Sequence, residues 1–432
     1  MNIEKSKKSD FSELMTGFVR FWASNNPSEA ARAGLREFSG YVPNYSKERL
    51  WIYRHGLETF KKRLMGISPS SLLSTEPLDY YILQSKIDEE LFDLLELKVF
   101  ERNPFTYASG GNILEYLLKE YAPLDQRIRE MALHMSQLPD FYQTAEANLI
   151  KSEISPELIN VTTFMLKGSV SFLENIISEI KTLENDRNEV DNETYTFLEE
   201  QRQKAIAAMK GFANFLDQSV PEAKATFRLG KDHYMKMLAI KEHVSGVSPE
   251  ELLEICQKDL ENNKKEILTS VKAIDQAKSL EEILSLIRAE HPARNDLISE
   301  TTRVLHIAKK FLKEKDFVTV PNEEMPKVME TPKPLRQLSF AFMNSPGPLE
   351  TAARNSYYYI TPPDDDWSDK EKQQWLETLN IRRLIDITVH EAFPGHFLHS
   401  LHNQKSPYLM SKLFGAYHFW EGWAHYVEEA TW

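Results

Sequence analysis

The chain contains 432 residues, of which 41% are apolar and 27% are charged, a composition typical of a soluble globular protein. Its formal net charge of −13, from 52 basic and 65 acidic side chains, argues against a surface that follows nucleic-acid phosphates. Cys256 is the single cysteine, so both an intrachain disulfide and a metal site built from cysteines are excluded.

From about residue 10 to residue 315, apolar residues recur at three- and four-residue spacing, which predicts a succession of amphipathic helices. The clearest apolar stripe runs from Leu158 to Ile180, and Cys256 falls on a similar stripe and is expected in the core. The N-terminus carries neither a signal-peptide core nor a membrane span, so we expect a cytoplasmic protein without membrane contact. Region 1–315 is therefore predicted to be a helical body.

The sequence pattern changes after Lys315. Short runs of β-branched and aromatic residues at Phe317–Val320, Leu338–Phe342 and Ser356–Ile360 predict strands of a small antiparallel sheet. Two helices are predicted to follow, one capped by Asp366 or Ser368 and one over Ile381–Phe393. The fold class is thus mainly α, with a small sheet in region 316–432.

Six of the twelve histidines lie between residues 390 and 425. The segment opens with His390-Glu391 and reaches His396 after a Pro-Gly pair, and Glu421 follows later. Neutral imidazole and carboxylate groups are the ligands that zinc prefers, and a glutamate beside the first histidine can accept a proton from water. This region is therefore a candidate metal centre.

The spacing of the two histidines is irregular for a zinc-binding helix. Ligands usually lie four residues apart on one helix face, but His396 lies six residues after His390, about 240° round a regular helix. Pro394 removes an amide donor and Gly395 tolerates unusual backbone angles. A break in the helix at this point is predicted to bring the two imidazoles together.

The stretches HEAFPGHFLH, EGWAHYVEE, NSYYYITPPD and FRLGKDHYMKML resemble the mostly bacterial family called domain of unknown function 885. The motifs cover roughly the second half of the chain. The resemblance implies a helical zinc metallopeptidase of the glutamate-zinc type that acts on peptides, with Glu391 as the general base. The Zn²⁺ ligands that it implies are His390, His396 and Glu421.

Other residues of the motifs are candidates for supporting roles. By resemblance, Asn355 and Tyr358 are candidates for contact with the substrate, and Tyr358 is predicted to be catalytic, because it could present a phenol to an oxyanion. Partners that could orient the metal ligands follow from helical spacing: Asp386, His418, His425 and Glu428. His425 could instead be an extra ligand. His399 and His402 are placed outside the ligand set.

Two alternatives to a peptidase remain at this point. Family members continue beyond the EGW motif, whereas Trp432 lies eleven residues after Glu421, so we expect the family's C-terminal segment to be absent. Such a chain could be a catalytically impaired relative that binds zinc and peptide. The same metal motif could also serve a zinc hydrolase of small amides or esters. The oligomeric state stays open.

Overall fold

The structure of the chain is a computed structural model that describes residues 10–111, 113–184, 189–332, 335–336 and 339–431. Most of these residues are helical, which confirms the predicted mainly α fold class. The helices of the first half are α1 (Asp10–Asn25), α2 (Pro27–Ala33), α3 (Lys47–Met65), α4 (Pro77–Phe92), α5 (Val99–Arg102), α6 (Glu115–Leu118), α7 (Leu124–Asn148), α8 (Pro156–Glu184) and α9 (Asn192–Ser219). Those of the second half are α10 (Gly230–Lys241), α11 (Pro249–Ile274), α12 (Leu280–Ala289), α13 (Leu297–Lys315), α14 (Asp369–Thr378), α15 (Ile381–Glu391), α16 (His396–Lys405), α17 (Leu409–Leu413) and α18 (Tyr417–Ala430).

Three short strands, β1 (Lys327–Glu330), β2 (Ala341–Asn344) and β3 (Tyr357–Ile360), form a sheet in the order β1-β3-β2. The central strand β3 pairs in parallel with β1 and antiparallel with β2. The prediction of an antiparallel sheet is therefore wrong for one of the two pairs. The chain leaves β1, forms β2 and returns to β3 in the direction of β1, and this crossover makes a parallel pair.

The individual strand predictions had mixed outcomes. Ser356–Ile360 is confirmed as β3, and the segment predicted at Leu338–Phe342 overlaps β2, although Leu338 itself lies outside the described residues. The prediction at Phe317–Val320 is wrong, because that segment pairs with no strand. Val318 and Val320 instead pack against the apolar cluster around Phe393, so their apolar character reflects burial rather than sheet pairing.

The first of two compact units comprises the residues up to Leu229 together with Pro346–Arg354 and Ser406–Phe414. Its largest core is built on α7, α8 and α9. The stripe predicted between Leu158 and Ile180 supplies buried residues to this core, which confirms it: Leu166, Leu173, Ile176 and Ile180.

The second unit comprises Gly230–Ser345, Asn355–Lys405 and the chain from Gly415 onward. Two apolar clusters fix the helices of the histidine motif: Tyr358 and Leu384 belong to one, and Phe393 and Phe397 to the other. The motif therefore sits on packed elements. The predicted division into regions 1–315 and 316–432 rests on the change from helical to strand-like sequence patterns after Lys315, and it remains a prediction.

Helix α14 begins as predicted, since Ser368 caps it by accepting a hydrogen bond from the Glu371 amide.

The core position predicted for Cys256 is wrong, because this thiol is exposed on α11. Among the described residues of α11 only Val271 is buried. A helical stripe shows which residues share a face but not whether another element covers that face. No helix in the described part of the chain is long and apolar enough to cross a membrane.

Candidate metal centre

The predicted break in the histidine motif is present in the structure. Helix α15 ends at Glu391 and α16 begins at His396, with Ala392–Gly395 forming the turn between them. The amide of Gly395 donates to the Val389 carbonyl at 2.9 Å, which folds the turn back on the end of α15. As a result, the ring centroids of His390 and His396 lie 4.8 Å apart.

The structure brings the three predicted metal ligands together. Oε2 of Glu421, on α18, lies 3.5 Å from Nε2 of His390 and 3.7 Å from Nε2 of His396. Two ligands of one tetrahedral zinc, each about 2.0–2.1 Å from the ion, are separated by about 3.3 Å. The distances between these atoms are therefore close to those that zinc requires, and the residues fit the ion.

The electrostatic surroundings also suit a cation. The side chains of the three predicted ligands are only partly exposed, by 19% for His390, 18% for His396 and 33% for Glu421. Burial, followed by the neighbouring His390, lowers the pKa of His396. A neutral imidazole has a lone pair free to bind a metal at neutral pH, which a protonated ring lacks.

Glu391 lies next to this group and is held by the sheet. Its Oε2 accepts a hydrogen bond from the amide of Met343 on the edge strand β2 at 2.9 Å. Burial raises the pKa of Glu391 to about 8, the Met343 amide opposes this shift, and the charge of Glu421 adds to it. Met343 had no signal in the sequence, because it lies 48 residues from Glu391 and contributes only a main-chain group.

The second nitrogen of His390 also has a carboxylate partner. Nδ1 of His390 lies 2.5 Å from Oε1 of Glu428, and the same oxygen lies 3.3 Å from Nδ1 of His425. Among the candidates for orienting the ligands, Glu428 and His425 are thus placed beside His390. Asp386 instead pairs with Arg383 at 2.7 Å.

The remaining histidines of the segment have other partners. His418 is paired with Glu242 through Nδ1 at 2.7 Å, and Nε2 of His402 lies 2.8 Å from the Thr319 carbonyl. His399 stacks on Trp420 with ring centroids 3.8 Å apart.

Tyr358 is completely buried on β3, behind α15. Its hydroxyl lies 3.2 Å from Oγ1 of Thr388, and burial raises the pKa of the phenol strongly. This position suits packing behind the motif more than contact with a substrate. Asn355 is exposed just before the strand. The proposed roles of both residues remain predictions.

The turn between α15 and α16 makes Gly395→Ala a severe substitution. A Cβ atom at this position would lie 1.6 Å from the His390 carbonyl oxygen and 2.3 Å from its carbon, which are backbone atoms that cannot move aside cheaply. We expect the free energy of unfolding to fall by about 1–3 kcal/mol or more, as measured by urea unfolding. Zinc binding, measured by metal titration, should also weaken. Gly422→Ala is the control, because its Cβ meets no atom within 4 Å. Equal stability of Gly395→Ala and wild type would contradict this geometry.

Protonation of His399 is expected to destabilise the fold in mild acid. Burial lowers the pKa of His399 to about 4, and its Nδ1 has no hydrogen-bond partner among the described residues. Because the folded-state pKa is lower than the ordinary value near 6.5, the unfolded chain takes up a proton first as the pH falls, and stability is lost between about pH 6.5 and 4.

The variant His399→Phe keeps the stacked ring and should lose less stability than wild type between pH 7 and pH 5. Urea midpoints measured in chelator separate this effect from metal release. His402→Phe, at an exposed position on the same helix, is expected to retain the wild-type pH dependence. A wild-type response in His399→Phe would show that another group is responsible.

Known proteins resemble the chain in fold and in sequence. A solved structure from Shewanella oneidensis, described as a candidate lipoprotein of unknown function, aligns with a TM-score of 0.76 over 98% of this chain and 77% of that one, at 21% identity. No curated protein matches the sequence significantly. Residues 27–432 match the family described as bacterial protein of unknown function (DUF885), so the resemblance extends into the N-terminal half, where sequence patterns indicated only helices. The chain belongs to this family.

Proposed function

We propose that the chain is a zinc-dependent peptidase that hydrolyses peptide bonds in oligopeptides. The observation that carries this proposal is the convergence of His390, His396 and Glu421, whose ligand atoms all lie within 4.8 Å of one another. Glu391 directly follows His390 in the sequence. Three protein ligands leave one coordination position for water or substrate, which distinguishes a catalytic zinc site from a structural one.

The ion would supply Lewis acidity, polarising the scissile carbonyl and making water a better nucleophile. The chain's own residues then handle the protons. Glu391 accepts one proton from the attacking water and later donates it to the leaving amine, so that its carboxylate is regenerated. The hydrogen bond from Met343 to Oε2 fixes this side chain, so that Oε1 would be the oxygen that takes the proton.

A peptide substrate is supported by the position of β2 as an edge strand of the three-stranded sheet. The edge of a sheet can bind an extended peptide through main-chain hydrogen bonds. Because β2 is tied to Glu391 through Met343, a peptide along this edge would place its backbone near the general base. A small amide or ester would gain nothing from such an edge.

The proposal is tested by incubating the zinc-loaded chain with a mixed peptide library and analysing the products by mass spectrometry. Cleavage at defined bonds that chelator abolishes is the expected result. Retention of peptides without cleavage would favour a binding module. If peptides are neither bound nor cut, a small-amide or ester hydrolase would be favoured over the peptidase.

A further inference from the structure

His390 lies between two carboxylates that approach opposite nitrogens of its ring. Nε2 faces Glu421 at 3.5 Å, whereas Nδ1 is 2.5 Å from Glu428. Both glutamates come from α18, where a separation of seven residues places them on one face of the helix. One helix therefore supplies both a metal ligand and a second carboxylate to the same histidine.

Two groups of side chains in the described residues could hold a metal, and both include His390. One group adds His396 and Glu421, and the other adds His425 and Glu428. A neutral imidazole has one lone pair and one N–H, so His390 can bind a metal through only one nitrogen and donates a hydrogen bond from the other. The distances indicate which nitrogen of His390 would bind the metal and which would donate the hydrogen bond.

The separation of 2.5 Å between His390 Nδ1 and Glu428 Oε1 is that of a short hydrogen bond. It is well below the roughly 3.3 Å that separates two ligands of one tetrahedral zinc. The separations on the Nε2 side, 3.5 and 3.7 Å, match that requirement. Exposure agrees with the distances, because His425 is 69% exposed whereas His396 is 18% exposed.

We propose that Glu428 is a positioning residue of the metal centre. Its carboxylate accepts the Nδ1–H of His390, which fixes the tautomer in which Nε2 is free to bind the ion and fixes the plane of the ring. On the solvent side, Nδ1 of His425 lies 3.3 Å from the same carboxylate oxygen. Removal of a hydrogen-bond partner of this kind lowers metal affinity by about 10–100-fold.

This inference rests on the metal site of the proposed function, and its test measures metal binding rather than hydrolysis. Zinc affinity is measured by competition with a chromophoric chelator for wild type, Glu428→Ala and Glu428→Gln. We expect about 10–100-fold weaker binding for Glu428→Ala. Glu428→Gln should recover part of the affinity, because an amide oxygen still accepts the N–H. Glu429→Ala, at the exposed next position, should bind like wild type.

A proton spectrum of the cobalt(II)-substituted chain separates positioning from general stability. The Nδ1–H of a metal-bound histidine gives a strongly shifted resonance whose exchange with water is slowed by a hydrogen bond. That resonance should exchange faster in Glu428→Ala than in wild type, with Glu428→Gln in between. The Gln variant keeps the test decisive if Glu428→Ala does not fold.

The possible outcomes distinguish this inference from the proposed function. Equal zinc affinity and equal proton exchange in wild type and both Glu428 variants would overturn the positioning role while leaving the metal centre intact. Two zinc equivalents in wild type that fall to one in His425→Leu would also overturn it and show a second ion at His425 and Glu428. A wild-type chain that binds no zinc would refute the metal centre itself.

Discussion

Replacement of Glu391 by glutamine is expected to leave zinc bound while peptide hydrolysis falls by about 10²–10⁴-fold. Glutamine keeps the size of the side chain and can still accept the Met343 hydrogen bond, but it cannot take a proton from water. Zinc content and the turnover of a cleaved library peptide are measured on the same preparation.

The matched control for this substitution is Glu429→Gln, which makes the same chemical change at an exposed position of α18. Its turnover should equal that of wild type. If Glu391→Gln also turns over like wild type, hydrolysis comes from another group or from a contaminating enzyme. If it loses zinc, Glu391 has a role in holding the site, and the loss of activity no longer reports on proton transfer.

Replacement of His396 by alanine is expected to abolish most zinc binding. One of three protein ligands disappears, and the two that remain, His390 and Glu421, lie 3.5 Å apart on different helices. The loss of affinity should exceed the roughly 10–100-fold effect of removing an outer hydrogen-bond partner. Metal analysis after dialysis against a weak chelator measures this directly.

His402→Ala is the control for this variant, because His402 lies on the same helix and its Nε2 is 2.8 Å from the Thr319 carbonyl oxygen. It should retain about one zinc per chain. Full zinc occupancy in His396→Ala would refute the broken-helix geometry as the basis of the metal site. Loss of zinc in both variants would point instead to a general weakening of α16.

Much of the local structure followed from the sequence because it depends on neighbouring residues. The stripe on α8 and the Ser368 cap reflect helical periodicity and local hydrogen bonds. The break before His396 follows from Pro394 and Gly395, and it brings the rings of His390 and His396 together despite their irregular spacing. These features required no knowledge of distant contacts.

What the sequence could not provide depends on contacts between distant segments. The parallel pairing of β1 with β3 and the Met343 bond to Glu391 join residues about 30 or more positions apart. The apolar pattern around Cys256 predicted burial, yet α11 leaves that face exposed. In each case the partner of the segment is decided elsewhere in the chain, so the local pattern could not reveal it.

Helix α18 carries Glu421 and Glu428, yet among its described residues only Ala424 and Val427 are buried. Full burial of one valine-sized or larger apolar side chain contributes about 1.5–3 kcal/mol, and an alanine contributes less. The apolar burial of these two side chains therefore gives α18 only a modest docking free energy. If Glu421 binds zinc only when α18 is docked, zinc stabilises the docked helix by linkage, by about 2.7 kcal/mol when free zinc is 100 times its dissociation constant. Bound zinc would then add to the metal-independent contacts of α18, such as the Trp423 bond to the Pro394 carbonyl at 2.9 Å.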